Sequence, residues 1–346
     1  ANNAAITPTN VTVRPQTPYG SSTMRPLRVS EAVLFGQRHG KPTNPARRIR
    51  ETSYEFQKDG YIAPDVGIIS NHITGSGVTE GAFQAAPDPV AWFARADGKL
   101  AGLTYEQEQD VKGWHLHELG GTDAQVKRTA VIPGDDGDEL WLLVSRTIGG
   151  GTVHYIEVLT KGIDEAETDL AAAKAAAIYR DSALTYDGSP TTTITGLWHL
   201  EGQSVTALAD GSKVSARTVA NGSIPLDIAA SLVHVGLSYM MIPQTLDLDA
   251  FAQAGTAKTR PKKLSNVNAN VFRSLGGRCC HPSGEMVDIV YRSDADPFGS
   301  SPALRTGFID CDFLRGWEED MRIRFEHDEP YPFTLLGIEA DMQTIG

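Results

Sequence analysis

Short runs of alternating apolar and polar residues recur along most of the chain. Val, Ile, Tyr, Trp and Phe are frequent in these runs, and Asp-Gly, Asn-Gly and Gly-Gly pairs separate them. Alternation with a period of two places the apolar side chains on one face of a strand, and such dipeptides form the tight turns of β-hairpins. The pattern therefore predicts a mainly β protein built of antiparallel strands.

Three segments share the order of a hydrophobic strand, a polar turn and a return strand. They read AVLFGQRHGKPTNPARRIRETSYEF, VAWFARADGKLAGLTYE and ELWLLVSRTIGGGTVHYIEVL, and their return strands carry Tyr54, Tyr105 and Tyr155. The spacing of roughly 50 residues lies within the range of propeller-blade repeats. We therefore predict a propeller-like antiparallel β domain over residues 1–160. Three blades do not close a ring, so this domain is expected to be incomplete or shared.

One segment departs from the strand pattern and predicts a helix. Residues 164–180 place acidic side chains first, alanine in the middle and basic side chains later, an order that suits both helix propensity and the helix dipole. The apolar stripe is narrow, which favours a helical connector on the surface, over residues 161–190. Asp-Gly and Asn-Gly turns then predict a small β-barrel over 191–245, followed by a C-terminal β segment over 246–346.

The segment 90–118 combines carboxylates, two histidines and two tryptophans, a composition that suits an active site or a hairpin. His115 and His117 are two residues apart, so on a strand they project from one face and could share a metal ion. Glu118 projects from the other face, and the sequence supplies no third ligand, which a zinc or iron site needs. We therefore interpret the segment as a hairpin that turns at Asp97, with the two histidines on a polar strand face.

Two charged runs are candidate sites for ions or partners. A basic cluster near residue 260 is interpreted as a solvated loop or a subunit contact, because it lacks the interleaved aromatic residues of nucleic-acid binding segments. The acidic run 134–139 lacks the ligand spacing of a calcium-binding loop and is interpreted as a solvated turn. The basic residues are Lys258, Arg260, Lys262 and Lys263, and the acidic run contains Asp135, Asp136 and Asp138.

Sequence motifs of catalysis and cofactor binding are absent. Neither a G-x-S-x-G nucleophile elbow nor a G-x-x-x-x-G-K-[ST] phosphate loop occurs. Paired carboxylates could serve glycoside hydrolysis, but no spacing selects two of the 43 acidic residues. Cys279 would be a nucleophile only beside a histidine in space, and His281 is near it only in sequence. We therefore predict no catalytic residues, no metal site and no cofactor, in a protein that is not an enzyme.

Composition and charge narrow the class further. Hydrophobic residues are 40% and charged residues 21% of the 346 residues, which is ordinary for a folded chain of two or three domains. No run approaches the roughly 18 apolar residues that span a bilayer. The net charge of −12 disfavours sequence-specific nucleic-acid binding, although an acidic tube would let DNA slide. Three cysteines without paired spacings favour neither a disulfide framework nor zinc, and indicate a reduced, cytosolic origin.

Several strings, taken in order, resemble one protein family. AITPTNVTVRPQTPYGSS, RPLRVSEAVLFGQRHG, DGYIAPDVGIISNHI, FARADGKLAGLTYEQEQDVKGWHLH and GDELWLLVSRTIGGGTVHYIEVL resemble the tail nozzle (tail tubular protein B) family of short-tailed bacteriophages. The later strings GLWHLEGQSVTALADG, VANGSIPL and VHVGLSY resemble the small β-barrel of these tail proteins, which is similar in fold to the first catalytic cysteine half-domain of ubiquitin-activating enzymes. The resemblance covers nearly the whole chain and corresponds to the later part of such proteins.

The resemblance implies a structural virion protein without catalytic residues. It implies a homohexamer that forms a tapered channel, retains the genome and passes double-stranded DNA without sequence specificity during ejection. The expected partners are further copies of the chain, the tail adaptor ring and tail fibre or tailspike proteins. The expected location is the phage tail, after synthesis in the cytoplasm of the bacterial host. An N-terminal platform or propeller portion is expected to be missing here or encoded separately, and Asp135, Asp136 and Asp138 would face either the channel or the outside.

Two alternatives stay open on the sequence. A propeller-type glycan-binding or glycan-cleaving tail protein would be favoured by surface aromatic residues beside paired carboxylates in one cleft. A soluble β-rich binding module would be favoured by monomeric behaviour.

Overall fold

The computed structural model describes residues 7, 15–164, 166–249, 256, 258–292, 296, 299, 301–313 and 316–345. Strands account for 52% of the residues and helices for 5%, which confirms the predicted mainly β class. The strands form several antiparallel sheets, and the described residues show no closed propeller. The chain divides into two compact units. The first comprises Ala1–His117, Gln125–Val144 and Tyr155–Leu159, and the second comprises Glu118–Ala124, Ser145–His154 and Thr160–Gly346.

Two four-stranded sheets build the first part of the first unit. Their strands are β1 Leu27–Val29, β2 Ala32–Gly36, β3 Ile49–Glu55, β4 Gly60–Ile62, β5 Val78–Gln84, β6 Val90–Arg95, β7 Leu100–Glu106 and β8 Val111–His117, and the short helix α1 covers Asn71–Thr74. One sheet has the order β1-β2-β3-β4 and the other has the order β5-β6-β7-β8. The predicted β2–β3 and β6–β7 pairings are both antiparallel, which confirms the first two of the three strand-turn-strand segments.

A single apolar core joins these two sheets. Leu34 and Ile49 from the first sheet pack with Phe93, Leu103 and Tyr105 from the second, and all five side chains are almost completely removed from water. Burial of an aliphatic or aromatic side chain of this size stabilises the fold by about 1.5–3 kcal/mol. Because the strand period is two, the alternate residues of β7 and β8 must face away from this core.

A third sheet consists of β9 Gln125–Gly134, β10 Gly137–Ile148 and β11 Gly151–Val158, in the order β11-β10-β9. The adjacency of β10 and β11 confirms the third predicted strand-turn-strand segment. Gly149 and Gly150 connect the two strands with φ angles of 58° and 82°, a left-handed conformation that glycine adopts without steric cost. The Gly-Gly pair is therefore the local cause of this hairpin.

The second unit begins with helix α2 Leu170–Ala176 and a four-stranded sheet. The strands of this sheet are β12 Asp181–Thr195, β13 Ser204–Ala209, β14 Ser212–Thr218 and β15 Ser223–Leu237, in the order β12-β15-β13-β14. Asp210 and Gly211 turn between β13 and β14 with φ angles of 44° and 74°, and Asn221 and Gly222 turn with 53° and 64°. Positive φ at both central residues is the requirement of a type I′ turn, so both predicted turns are confirmed.

The rest of the second unit contains two three-stranded sheets. Their strands are β16 Lys262–Ser274, β17 Arg278–Cys280, β18 Val287–Asp288, β19 Arg305–Asp310, β20 Arg324–Glu326 and β21 Thr334–Thr344, and the orders are β19-β16-β21 and β18-β17-β20. Val267, Val271, Cys279, Ile323 and Phe325 are among the residues that pack into one core. This arrangement agrees with the predicted C-terminal β segment in its strand character.

The predicted helix exists but is shorter than the range 164–180. It covers Leu170–Ala176, and Asp169 caps its first turn by accepting hydrogen bonds from the backbone N–H groups of Ala171 and Ala172 at 3.2 and 3.0 Å. A capping carboxylate satisfies donors that have no intrahelical partner. The helix therefore begins at the cap rather than at the first acidic residue of the segment.

A distant arginine accounts for the non-helical segment before the cap. Arg273 donates to the carbonyl oxygens of Asp164 at 2.5 Å and Glu167 at 3.0 Å, so these acceptors are engaged outside any helix. On the other side, strand β12 begins at Asp181 and occupies the last third of the predicted helical connector, residues 161–190. Tertiary contacts thus override local helix propensity at both ends.

The interpretation of the basic cluster is wrong for Lys262. This side chain is fully buried, and its ammonium group lies 3.0 and 3.2 Å from the two carboxylate oxygens of Asp247. Asp247 also accepts a hydrogen bond from the backbone N–H of Met321 at 2.9 Å. Lys262 is the first residue of β16 and its side chain points inward, whereas Lys258 is exposed. A cluster of basic residues in the sequence does not indicate which of their side chains a strand will bury.

Replacing Lys262 by alanine should destabilise the second unit. Removing one member of a buried ion pair leaves the other charge without its partner, and such losses reach about 3 kcal/mol. We expect Lys262→Ala to lower the free energy of unfolding by about this amount in urea denaturation followed by circular dichroism. The neighbouring Lys263→Ala, with a half-buried side chain, should change it by less than about 1 kcal/mol. Equal losses in the two variants would contradict a stabilising role for the buried pair.

Candidate functional site

The sheet of β5–β8 carries an aromatic and imidazole cluster on the face opposite to the core. His115 and His117 project from this face of β8, as predicted, and His115 Nδ1 lies 2.7 Å from His117 Nε2. The ring of Trp92 on β6 lies 5.5 Å from the His115 ring and 5.3 Å from the His117 ring. Gly102 on β7 stands between them, and a Cβ there would lie 2.0 Å from the His115 ring. The absence of a side chain at Gly102 is therefore what lets the imidazole lie over the sheet.

The environment of the cluster disfavours the charged form of both imidazoles. Burial lowers the pKa of His115. His117 is exposed at the end of β8, but desolvation of its ring within the cluster, and then the neighbouring His115, lower its pKa to about 4. At 2.7 Å one ring nitrogen must donate and the other must accept, which only a pair with at least one neutral ring can do. Within the described part of the chain, no group of three or more His, Cys, Asp or Glu side chains comes together as a metal site.

The three cysteines are buried free thiols of the second unit. A hydrogen bond with Cys311, and then burial, raise the pKa of the Cys279 thiol. The ring nitrogens of His281 lie 2.9 Å from the Ser283 hydroxyl and 2.8 Å from the Asp320 carbonyl oxygen, so both have partners other than a cysteine. A protonated, inaccessible thiol is a poor nucleophile, and this arrangement does not assemble the Cys-His pair that sequence proximity suggested.

The acidic turn between β9 and β10 is partly structural rather than wholly solvated. Asp138 accepts hydrogen bonds from the backbone N–H groups of Ala85 and Ala86 at 2.7 and 3.2 Å, within the first unit. A carboxylate with two backbone donors is held in place. Asp138 is therefore an anchor of the segment before β6, and the charge of the turn tip belongs to its neighbours Asp135 and Asp136.

A cleft of the second unit brings carboxylates and tyrosines together. Its volume is about 560 Å³, and its lining includes Lys213, Arg278, Asp288, Tyr291, Asp328, Glu329 and Tyr331. These residues come from segments far apart in sequence, and no spacing could have selected them. Paired carboxylates beside aromatic residues are the arrangement that would favour the glycan-related alternative.

The detailed contacts in this cleft do not match a sugar-binding site. Lys213 forms an ion pair with Glu329, and Arg278 lies 3.6 Å from Asp328. Tyr331 is buried, and its hydroxyl accepts a hydrogen bond from the backbone N–H of Lys213 at 2.8 Å. Glu329 and Asp328 are thus engaged with cations, and the rings of Tyr291 and Tyr331 are core residues rather than exposed platforms for a sugar.

Large apolar side chains are exposed on strands that end their sheets. An edge strand presents unpaired backbone N–H and C=O groups, and exposed apolar residues beside them form a template for another chain. Edge strands with such residues occur in both units: β4 carries Tyr61, β8 carries Val111 and Leu116, β9 carries Ile132, β11 carries Ile156 and Val158, β19 carries Phe308, and β21 carries Leu336. These strands are the candidate assembly surface of the chain.

No protein-family model matches the chain, and no curated protein matches it significantly. Across the described residues, no helix is both long and apolar enough to cross a membrane. The resemblance to the tail nozzle family therefore stays a prediction.

The histidine pair should make stability depend on pH. The pKa of His117 in the folded state, about 4, lies below the ordinary value of about 6.5, so the unfolded state binds its proton first as the pH falls. The stability is fully present above about pH 6.5 and is lost as the pH falls towards 4. In urea denaturation at a series of pH values, the wild type should lose stability in this window more steeply than His117→Gln.

The matched control for this experiment is His72→Gln, which removes an exposed histidine of helix α1 in the same unit. Its pH profile should follow that of the wild type. Parallel profiles for the wild type and His117→Gln would contradict the assignment of the pH dependence to the pair.

Proposed function

We propose that the chain is a structural subunit of the tail nozzle of a short-tailed bacteriophage. In this function, copies of the chain form a homohexameric channel that retains the DNA genome and then passes it during ejection. Support comes from the ordered strings that resemble this family along nearly the whole chain and from the mainly β architecture. The corresponding location is the virion, with the adaptor ring and the tail fibres or tailspikes as neighbours.

The structural observation that carries the proposal is the set of apolar edge strands. Ile156 on β11 and Phe308 on β19 expose 74% and 63% of their surface, one in each unit. Exposed flat edges are an aggregation hazard that proteins commonly blunt with charges or cover with another chain. In a ring, the neighbouring subunits on both sides would bury such apolar edges. In a monomer the same edges would stay exposed to solvent.

A ring requires a particular kind of contact. Each subunit must use two different surfaces, so that one copy joins the next by a rotation that closes. The candidate assembly surface offers distinct edges in the first and second units, which is the minimum for such a heterologous contact. The net charge of −12 suits a channel wall along which DNA slides without adhering.

The assembly state tests the proposed function directly. Native mass spectrometry and negative-stain imaging of the purified protein should reveal hexamers with six-fold rings or short tubes, at least when adaptor proteins are supplied. A chain that stays monomeric with those proteins present and that cleaves or binds bacterial polysaccharide would overturn the proposal in favour of the glycan-related alternative.

Lysine substitutions on the apolar edges should weaken assembly without affecting the fold. In Ile156→Lys and Phe308→Lys, the interface between neighbouring subunits would have to bury an unpaired charge. The protein concentration at which half of the hexamer dissociates should therefore rise about tenfold or more. Ser215→Lys is the matched control, because Ser215 is exposed on β14, an edge strand without exposed large apolar residues. Sedimentation velocity measures the dissociation, and thermal melting should be unchanged in all three variants. Rings that dissociate equally in all three would exclude these edges from the interface.

A further inference from the structure

A basic cleft lies in the first unit, where the connection from β2 to β3 passes α1. Its volume is about 400 Å³, and its lining consists mainly of Gln37, Arg38, His39, Arg47, Arg48 and Asn71. The connection reads QRHGKPTNPARR and contains four cationic residues and no acidic one. In a chain with a net charge of −12, this concentration of positive charge stands out and has no part in the proposed assembly surface.

Arg38 is held at the cleft by the backbone beside it. The backbone N–H of Arg38 donates a hydrogen bond to the carbonyl oxygen of Gly20 at 2.7 Å. A Cβ on Gly20 would lie 3.2 Å from the guanidinium carbon of Arg38. The guanidinium group of Arg38 therefore lies directly against the backbone at Gly20.

A buried arginine fixes the Gln37 side chain. Arg50 donates from Nε to Gln37 Oε1 at 2.7 Å and from its terminal nitrogen to the Ala63 carbonyl oxygen at 2.5 Å, while its guanidinium group lies 3.3 Å from the centre of the Tyr19 ring. With the amide oxygen of Gln37 occupied, its NH₂ group is the part left to donate to a ligand. The cleft thus combines guanidinium groups with an oriented amide donor.

The charge of the cleft is only partly neutralised. Arg48 forms an ion pair with Asp65 at 2.6 Å, and Asp65 also accepts from the backbone N–H of Gly67 at 2.9 Å. Among the described residues, no carboxylate pairs with the side chain of Arg38 or Arg47, and both side chains are exposed. Two guanidinium groups are therefore exposed and have no carboxylate partner within the part of the chain that the structure describes.

The lining indicates the chemistry of the ligand. Arginine forks match the paired oxygens of phosphate groups. The lining contains no aliphatic or large aromatic side chain, so it offers neither the apolar anchor of a peptide-docking site nor a platform on which unpaired bases stack. Contacts of guanidinium and amide groups with a sugar-phosphate backbone need neither of these features.

We propose that this cleft binds the phosphate backbone of double-stranded DNA without reading the base sequence. The acidic remainder of the chain does not prevent this, because at physiological ionic strength charges farther away than about 8 Å are largely screened. The binding is local to the first unit of a single subunit and does not depend on the proposed ring. In a nozzle it would be a point at which an otherwise repellent wall holds the genome.

Fluorescence anisotropy with labelled duplexes of two unrelated sequences tests this inference on the full chain. We expect dissociation constants of about 10⁻⁶–10⁻⁴ M near 0.15 M salt, similar for both sequences and rising steeply with salt. Arg38→Gln and Arg47→Gln should each weaken binding roughly five- to tenfold and reduce the slope of log K against log salt by about 1.

The matched control is Arg128→Gln. Arg128 lies on β9 of the same unit, exposes 68% of its side chain and pairs with Glu80, so the variant changes the net charge equally but leaves the cleft intact. It should bind DNA like the wild type. Equal weakening in all three variants would show that only the net charge matters, and would overturn the proposal.

Two further outcomes would also overturn it. Binding of inorganic pyrophosphate without binding of duplexes would assign the cleft to a small free anion. Self-association that requires Arg38 and Arg47, without DNA binding, would assign it to an acidic segment of a second copy. The assembly experiment separates the two proposals, because a monomer can bind DNA through this cleft and a hexamer can fail to do so.

Discussion

In the first unit, two four-stranded sheets are held together by one apolar core, in which Leu34, Phe93 and Leu103 are completely buried. Sheets of such short strands need a packed apolar face to be stable. This constraint orders the rest of the unit. Because successive side chains of a strand point to opposite faces, burying Trp114 against Phe93 forces His115 onto the other face, beside Trp92. The position of the histidine pair follows from the core.

Buried cations organise both units, in a chain that is acidic overall. Arg50 orients Gln37 in the first unit, Lys262 pairs with Asp247 in the second, and Arg146, fully buried, donates to the carbonyl oxygen of Gly120 at 2.8 Å. Burying a cation is costly unless carboxylates or carbonyl oxygens surround it, so these side chains fix the segments that supply the acceptors. Arg38 and Arg47 differ because they expose their charge to solvent, and this difference marks their cleft as a place for an external anion.

The proposed nozzle and the proposed DNA-binding cleft use different surfaces and different forces. Assembly would rely on apolar residues of edge strands such as β11 and β19, where backbone hydrogen bonds and apolar burial act together. DNA would be held by a few guanidinium contacts that salt weakens. A strong interface between subunits and a weak, salt-dependent contact with the cargo are compatible with a channel that must both hold DNA and release it.

The sequence by itself determined the mainly β class, the three strand-turn-strand segments and the turns at Asp210 and Asn221. These features depend on the period of two and on residues that tolerate positive φ, and both are local properties. The tertiary structure alone decided that Lys262 is buried, that Arg273 keeps the segment before helix α2 out of the helix, and which charged residues line the two clefts. Each of these outcomes depends on a partner distant in sequence, such as Asp247 for Lys262 or Asp164 for Arg273. The pattern of residues along the chain cannot predict these contacts, because only the folded backbone brings the two partners together.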